Sequence, residues 1–345
     1  MKRRTLLMLL LVLFFPISMF AEVILLKSGK TVEGKLIEKT DKYIKIDFQG
    51  ILLTYYIDEI ESVDGAKQKF SLTKEGKLTQ ENNLTSVDTK TAEEYFKCGV
   101  VSVIQGNLPQ AISDYTKAIE INPNLAKAYN NRGIVYDNQG NLSQAISDFT
   151  KAIEINPNYA NAYNNRGSAY GKQGNLSQAI FEFTKAIEID PNIARAYDNR
   201  GLAYFNQGKL SQAIFDHTKA IEINPNFAEA YSSRGLAYDE QRDFTQAVSD
   251  YTKAIEINPN NAEFYYRRAF AYAQQGNLPQ AISDYTKAIE INSNYAAAYN
   301  GRGAIYYGIR EYGKAWLDVH KAEGLGYAVK PEFLAALKKA SGRDK

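Results

Sequence analysis

Apolar and small residues recur with a period of 34 positions from residue 92 to residue 329, and each period holds two helical patterns. In the second period Tyr129, Gly133 and Tyr136 lie four and three residues apart, so they share one face of a predicted helix. Gly140 interrupts that pattern, because glycine readily adopts the left-handed conformation that ends helices. A second helical face follows at Ala145, Phe149 and Ala152. Pro157 marks its end, because proline cannot continue the helical hydrogen bonds.

The pattern occurs seven times, and the repeats begin at Ala92, Ala126, Ala160, Ala194, Ala228, Ala262 and Ala296. Seven helix–turn–helix units of one length predict a mainly α fold, in which the repeats at residues 92–329 stack on one another. Residues 330–345 depart from the repeat, and the stretch PEFLAALKKA (331–340) has the spacing of an amphipathic helix. We expect this helix to cap the last repeat, because a terminal repeat has no neighbour to bury its apolar face.

Residues 22–65 follow a different pattern, with short β-branched and aromatic runs. The predicted strands are 23–27, 31–38, 42–48, 51–56 and 59–63, with turn residues such as Gly29 and Gly50 between them. Closely spaced short strands predict a small all-β barrel that is strongly bent. Residues 66–91 are polar and have no sustained period, so we interpret them as a linker.

The first 21 residues, MKRRTLLMLLLVLFFPISMFA, have the layout of a secretory signal peptide. A basic start precedes an apolar run that falls short of the roughly 20 residues needed to span a bilayer. We expect cleavage near Ala21 and export to the periplasm, the cell envelope or the exterior of a bacterial cell. An uncleaved N-terminal anchor is the alternative, since Met19 is larger than the residue usual at that place.

Composition and charge exclude several classes of function. The 345-residue chain is 45% hydrophobic and has a formal net charge of +2, so it lacks the basic character typical of proteins that bind nucleic acid or anionic membranes. One cysteine, Cys98, excludes an intrachain disulfide, and the two histidines, His217 and His320, lie far apart. The sequence has no P-loop, paired-carboxylate site or nucleophile–base set. We therefore expect no enzyme activity, no cofactor and no metal.

The repeat resembles the tetratricopeptide repeat, a 34-residue helix–turn–helix with aromatic, Gly, aromatic, Ala, aromatic, Ala and Pro in that order. The resemblance covers residues 92–329 and implies a right-handed superhelix whose concave groove holds proteins or peptides without chemistry of its own. The stretch LKSGKTVEGKLIEKTDKYIKI resembles the first strands of SH3-like and Sm-like barrels. Sm-like proteins bind RNA, but the charge balance and the predicted export favour a packing or docking module here.

The motif YNNRG and its variants place an arginine in six of the seven repeats. The resembled family usually has leucine there, so the arginine should be at least partly buried and needs an acidic partner. The second helix of every repeat offers an acid. The first repeat, which no such acid precedes, is the one without the arginine. We therefore predict structural pairs between neighbouring repeats, with ligand contact by the arginine as the alternative. The pairs are Asp114–Arg132, Asp148–Arg166, Glu182–Arg200, Asp216–Arg234, Asp250–Arg268 and Asp284–Arg302.

The asparagines of the same motif are candidates for ligand contact. In some members of the resembled family, a ladder of asparagines at the position of Asn131, Asn165 and Asn199 grips the backbone of an extended peptide, since an amide both donates and accepts. Solvation on an exposed helix face is the alternative. The predicted groove set is Asn130, Asn131, Asn164, Asn165, Asp198, Asn199, Asn300, Phe205, Phe270 and Tyr307. His217 replaces a tyrosine or phenylalanine of most other repeats, and we interpret it as a core substitution.

Two functions are compatible with these features. The first is an exported, non-catalytic scaffold or adaptor that binds a protein or peptide partner in the groove. The alternative is a structural subunit of a larger cell-envelope assembly that uses the convex face and the β module. We expect no nucleic-acid partner, and membrane contact only through an uncleaved N-terminal segment.

Overall fold

A computed structural model of the chain describes residues 91–342 in full and, before them, the strands formed by residues 21–26, 31–39, 43–48, 51–56, 60–63 and 66–67. The predicted signal peptide up to residue 20, most of the predicted linker and the last three residues lie outside the described residues. The chain divides into two compact parts, Met1–Asp114 and Tyr115–Lys345, and the division falls within the second helix.

Fifteen α-helices follow one another between residues 92 and 341 of the described chain. They are α1 (Ala92–Ile104), α2 (Leu108–Ile121), α3 (Ala126–Asn138), α4 (Leu142–Ile155), α5 (Ala160–Lys172), α6 (Leu176–Ile189), α7 (Ala194–Asn206), α8 (Leu210–Ile223), α9 (Ala228–Glu240), α10 (Phe244–Ile257), α11 (Ala262–Gln274), α12 (Leu278–Ile291), α13 (Ala296–Gly308), α14 (Tyr312–Gly324) and α15 (Pro331–Ser341). Each repeat has a first and a second helix, which confirms the predicted α-solenoid of helix–turn–helix repeats. None of the described helices combines the length and the apolar character needed to cross a membrane.

Two kinds of turn end the helices. The turn inside a repeat needs a residue with positive φ, which is Gly140 at +77° in the second repeat. Arg242 and Arg310 take this conformation in the fifth and seventh repeats, at φ values of 61° and 66°, although a side chain is strained there. Between repeats, the side-chain oxygen of Asn156 accepts a hydrogen bond from the backbone N–H of Asn158 at 3.1 Å. The sixth repeat makes the same turn with serine in place of proline, so the asparagine is sufficient to shape it.

The two helices of a repeat meet where a ring packs on a glycine. Phe149 is 1% exposed, and a Cβ added at Gly133 would lie 2.7 Å from a carbon of its ring. Ala145 and Ala152 are fully buried. Small residues at these positions therefore let the two helices approach closely. The same contact recurs at Gly167–Phe183, Gly201–His217 and Gly235–Tyr251.

Apolar clusters also join one repeat to the next. Ala152 and Ile153 of α4 pack with Ala162 of α5, beside partly buried tyrosines. At the end of the described helices, Leu337 of α15 is fully buried and shares a cluster with Trp316 of α14. The amphipathic pattern of residues 331–340 thus packs on the last repeat, as a capping helix should.

The first helices lie on the inner side of the Tyr115–Lys345 part. Neighbouring first helices approach one another, as α7 and α9 do, whereas neighbouring second helices are farther apart. A stack of helix pairs curves toward the side on which its helices are closer together. The first helices of this part therefore line its inner side, and the second helices form its outer side.

Strands of the Met1–Asp114 part precede the helices. They are β1 (Ala21–Leu26), β2 (Thr31–Lys39), β3 (Tyr43–Phe48), β4 (Ile51–Tyr56), β5 (Ile60–Val63) and β6 (Ala66–Lys67). Their order in one antiparallel sheet is β4-β3-β2-β1-β5-β6. In its register Ile24 of β1 pairs with Val32 of β2 and with Val63 of β5. The SH3-like barrel itself stays a prediction.

Candidate functional site

The first helices present one accessible face on the inner side. Their second, sixth, ninth and thirteenth residues share a side, because spacings of four, three and four follow the helical period. In α9 these residues are Glu229, Ser233, Leu236 and Glu240, which are exposed or half-buried. The same four positions of α3, α5, α7, α11 and α13 are never buried. We call these positions of the six helices the inner face.

The inner face changes charge along the stack. In α3, α5 and α7 its charged residues are all basic: Lys127, Lys172 and Arg195. In α9 and α11 they are three acids and one base: Glu229, Glu240, Glu263 and Arg267. Lys172 Nζ binds Asp137 Oδ2 at 2.5 Å, and Arg267 Nη2 binds Glu263 Oε1 at 2.7 Å. The face is therefore basic over the second to fourth repeats and acidic over the fifth and sixth.

A row of apolar side chains crosses this change of charge. The ninth residues of α7, α9 and α11 are Leu202, Leu236 and Phe270. The two leucines are half-buried, and Phe270 is 42% exposed. Apolar side chains of a ligand would lose contact with water against this row, which is the main source of binding energy in such surfaces.

The arginines of the repeat motif bind the acid of their own repeat. Arg166 donates from Nε and Nη2 to Glu182 Oε2 at 3.1 and 2.8 Å, and the Glu182 side chain is 1% exposed. The observed pairs are Arg132–Asp148, Arg166–Glu182, Arg200–Asp216, Arg234–Asp250, Arg268–Asp284 and Arg302–Asp318. The predicted pairing between repeats, from Asp114–Arg132 to Asp284–Arg302, is therefore wrong. Asp114 accepts hydrogen bonds from Ser102 at 2.9 Å and from Gln110 at 2.8 Å.

Threonine, not the acid, connects each arginine to the preceding repeat. Arg166 Nη1 donates to Thr150 Oγ1 at 3.0 Å. The acid follows each arginine by 16 residues and the threonine precedes it by 16, so one guanidinium bridges two second helices. The guanidinium carbon of Arg166, Cζ, also lies 5.6 Å from the ring centroid of Tyr163. The six threonines are Thr116, Thr150, Thr184, Thr218, Thr252 and Thr286.

The asparagines of the motif form a chain of side-chain hydrogen bonds. Asn199 Nδ2 donates to Asn164 Oδ1, and Asn165 Nδ2 donates to Asn130 Oδ1, each at 3.0 Å. Within one helix, Asn164 donates to Asn165 at 3.5 Å, and Asn130 donates to Asn131 at 3.2 Å. The amides therefore join the second, third and fourth repeats along their first helices.

Part of the predicted groove set is buried. Asn130 is 4% exposed, and Asn164 and Asp198 are each 5% exposed, so their assignment to a ligand-contacting surface is wrong. They precede inner-face positions by one residue, and consecutive residues of a helix point in directions about 100° apart. Asn131, Asn165 and Asn199 lie on the inner face itself and are half-buried; their contact with a ligand stays a prediction.

Asp198 is buried beside a partner that the other repeats lack. His217 is fully buried at the place that Phe183 takes in the third repeat, which confirms that it is a core substitution. Its Nδ1 lies 2.8 Å from Asp198 Oδ1. The fourth repeat alone combines aspartate before the ladder position with histidine at the ring position. The aspartate therefore serves the histidine and not a ligand.

A partly buried carboxyl group lies beside the acidic end of the inner face. Asp239 of α9 accepts a hydrogen bond from Tyr251 Oη at 2.7 Å. Burial disfavours the carboxylate and raises the pKa of Asp239 to about 6, although the hydrogen bond and the charge of Arg267 act in the opposite direction. Glu263 binds both Arg267 and the hydroxyl of Tyr295. These contacts hold the acidic side chains of the fifth and sixth repeats in place.

Comparison with known proteins identifies the repeat. Family models described as tetratricopeptide repeat match residues 126–159, 160–193, 182–215, 228–261 and 262–295, and a TPR repeat model matches residues 99–140 and 201–242. Together these matches span residues 99–295, more than half of the chain. The chain belongs to the tetratricopeptide repeat family.

Two solved structures share this fold. A tetratricopeptide repeat protein from Parabacteroides merdae is 24% identical with a TM-score of 0.55, and the match covers 73% of this chain and 99% of that one. PilF of Pseudomonas aeruginosa is 20% identical with a TM-score of 0.53, covering 59% and 92%. At these identities the likeness shows the fold alone. No curated protein matches the chain.

The remaining residues of the predicted groove set lie in different places of the tetratricopeptide fold. Phe270 is on the inner face, and Phe205 lies half-buried one turn after Leu202 on α7. The ring of Tyr307 packs against those of Tyr312 and Phe333, with centroids 6.1 and 5.6 Å apart. Tyr307 therefore helps to hold α15. Asn300 is half-buried in α13, directly before an inner-face glycine.

Sequence reasoning missed two features of these repeats, although each left a signal. The threonine occurs in the second helix of each repeat whose following repeat contains the arginine. The last repeat, which no arginine follows, has His320 at that place. The Asp198–His217 pair appears as two departures from the repeat within one unit. In both cases the signal lay in which residues occur together at two positions, and not in the type of any single residue.

Proposed function

We propose that the chain is a non-catalytic scaffold or adaptor that holds a protein or peptide partner on its inner face. Membership of the tetratricopeptide repeat family supports this proposal, since the family generally binds proteins or peptides and performs no chemistry. The observation that carries it is the apolar row of Leu202, Leu236 and Phe270, which three consecutive repeats leave accessible. Covering such side chains contributes roughly 25 cal/mol per Å² of apolar surface.

The asparagine chain supports the same proposal. Asn131, Asn165 and Asn199 are held in one orientation along the inner face by the amides of neighbouring residues. An amide has two N–H donors and an oxygen that can accept two hydrogen bonds, so internal bonding leaves capacity for a ligand. Side chains that are ordered before binding cost less entropy when the ligand arrives.

A random peptide library displayed on phage tests the proposal with the full chain as bait. We expect enriched peptides whose binding is lost in the triple variant Leu202→Ser/Leu236→Ser/Phe270→Ser. The matched control is Phe181→Ser/Phe215→Ser, which gives the outer side the residue found at Ser147 and Ser249 in other repeats. The proposal is wrong if the selected peptides bind the triple variant as tightly as the wild-type chain.

The second candidate function is a structural subunit of a cell-envelope assembly. Phe181 and Phe215 support it, because they are 52% and 58% exposed at the same position of α6 and α8. Neighbouring exposed rings are uncommon on the surface of a monomer and are typical of contact surfaces. In this proposal the outer side and an SH3-like module at residues 22–65 make permanent contacts. The Phe181→Ser/Phe215→Ser variant would then lose assembly, whereas the inner-face variant would keep it.

We also propose that the chain is exported. The support is the N-terminal sequence, in which a basic start, an apolar run and Ala21 follow one another as in a signal peptide. Mass spectrometry of the protein recovered from a bacterial periplasm should show an N-terminus at or near Glu22. Recovery of the chain from the cytoplasm with Met1 in place would contradict export.

A further inference from the structure

We propose that the inner face selects a dipolar segment of its partner, with acidic residues at one end, basic residues at the other and apolar residues between them. The inference rests on the proposed function and adds the chemistry of the ligand. It follows from how charge is distributed over the first helices, which are otherwise close copies of one another.

The half of the inner face formed by α3, α5 and α7 favours an acidic segment. Lys127, Lys172 and Arg195 are its charged residues, and no acid occupies an inner-face position of these helices. Asp137 is the acid beside the face, and it binds Lys172 at 2.5 Å. Asp198 is buried against His217 and adds nothing to the surface. Arg195 therefore leaves positive charge in excess here.

The half formed by α9 and α11 favours a basic segment. Glu229 and Glu240 are exposed on α9, at the two ends of its inner face. On α11, Glu263 and Arg267 bind each other at 2.7 Å, so their charges largely cancel. Asp239 adds a further carboxyl group beside the face. Negative charge is therefore in excess in this half. It begins on α9, the next first helix after α7, which carries Arg195.

The apolar row lies where these halves meet, because Leu202 is on α7, Leu236 on α9 and Phe270 on α11. Packed helices are on the order of 10 Å apart, so the five helices from α3 to α11 extend over roughly 40 Å. An extended peptide rises about 3.3 Å per residue, so a segment of about 12 residues would reach both charged halves. A uniformly charged ligand would be attracted by one half and repelled by the other, which is how charge patterns give specificity.

Fluorescence anisotropy with synthetic peptides tests the inference on the full chain. The mixed peptide has four glutamates, a central leucine–glycine–leucine–glycine–leucine block and four lysines, and its reversed sequence covers the opposite chain direction. Two control peptides keep the centre but carry glutamate on both flanks or lysine on both flanks. We expect the better mixed peptide to bind about tenfold tighter than either control at low salt, because like charges oppose binding at one half.

Charge-reversed variants identify the face that is responsible. Glu229→Lys/Glu240→Lys should weaken the mixed peptide about tenfold and strengthen the peptide with glutamate on both flanks. The matched control, Glu154→Lys/Glu222→Lys, reverses two exposed acids of the second helices and should leave both affinities unchanged. A gain for the glutamate-flanked peptide also shows that the variant is folded.

Four outcomes overturn the inference: no binding of either mixed peptide, equal affinity for all peptides, no response to Glu229→Lys/Glu240→Lys, or an equal response to the control variant. If peptides selected from the library need Leu202, Leu236 and Phe270 but ignore these charges, the adaptor proposal stands and the dipolar ligand is wrong. If the selected peptides need neither, both proposals fail.

Discussion

At the scale of single residues, His217 shows how one departure from the repeat requires another. A histidine at the buried ring position needs a polar partner, and Asp198 lies 2.8 Å from its Nδ1. In the third repeat, Phe183 and Asn164 occupy the corresponding two positions. The two repeats therefore provide two complete, alternative solutions for one place in the core, and mixing them should be unfavourable.

This reasoning predicts a compensated double substitution. His217→Phe alone should lower the free energy of unfolding by about 1–3 kcal/mol, because Asp198 stays buried without its partner. Adding Asp198→Asn restores the combination of the third repeat and should recover most of the loss. Urea denaturation of the two single variants and the double variant measures the coupling. Additive losses in the double variant would show that the two side chains do not depend on each other.

Asp239 predicts a pH dependence of stability. Its pKa is raised by burial to about 6, above the ordinary value of an aspartate, so the folded state holds a proton that the unfolded state has released. Stability should therefore fall as the pH rises from about 4 to about 6, and this contribution should level off above that range. Asp239→Asn should remove this contribution to the slope and still accept the hydrogen bond from Tyr251. Thermal unfolding between pH 4 and pH 7 measures how stability depends on pH. The control is Glu290→Gln, at an exposed residue, which should leave this pH dependence unchanged.

At the scale of helices and turns, two arginines occupy places that suit glycine. Arg242 and Arg310 have φ values of 61° and 66°, whereas the five other repeats place glycine at the corresponding turn. Each arginine is strained there because its Cβ crowds the backbone. Replacing either by glycine should raise the free energy of unfolding by about 1 kcal/mol. Gln241→Gly, at a neighbouring residue with φ of −79°, should not stabilise the protein, and an equal gain there would rule out relief of strain.

The elements themselves could be predicted because their signals are local. Gly140 and Asn156 mark two turns within a few residues, and the contact of Gly133 with Phe149 follows from helical spacing between small and large residues. The partner of Arg132 could not be assigned in this way. Acids lie 18 residues before it and 16 residues after it, and the sequence does not show which of the two second helices its side chain reaches. The structure shows that it binds the later acid and Thr116.

The candidate site was predicted less well than the fold for a related reason. Asn130 and Asn131 look alike in the sequence, but one turns into the structure and the other lies on the inner face. Which of two adjacent residues meets the core depends on how the repeats stack, and that is a property of the whole array. The charge pattern of the inner face is likewise visible only after the first helices have been aligned side by side.

At the scale of the whole molecule, the bond from each arginine to the preceding threonine should determine how cooperatively the repeats unfold. Arg200 Nη1 donates to Thr184 Oγ1 at 3.1 Å, and this contact couples the third repeat to the fourth beside the apolar clusters and the Asn199–Asn164 hydrogen bond. Thr184→Val keeps the volume but removes the acceptor, which should cost about 1.5 kcal/mol because the donor is charged. In a stacked array, weakening one interface lets the two sides open separately. Hydrogen exchange should therefore show faster exchange on one side of this interface than on the other, whereas the exposed Ser211→Ala should leave a single global opening. Uniform exchange in Thr184→Val would mean that the apolar contacts and the Asn199–Asn164 hydrogen bond suffice to couple the repeats.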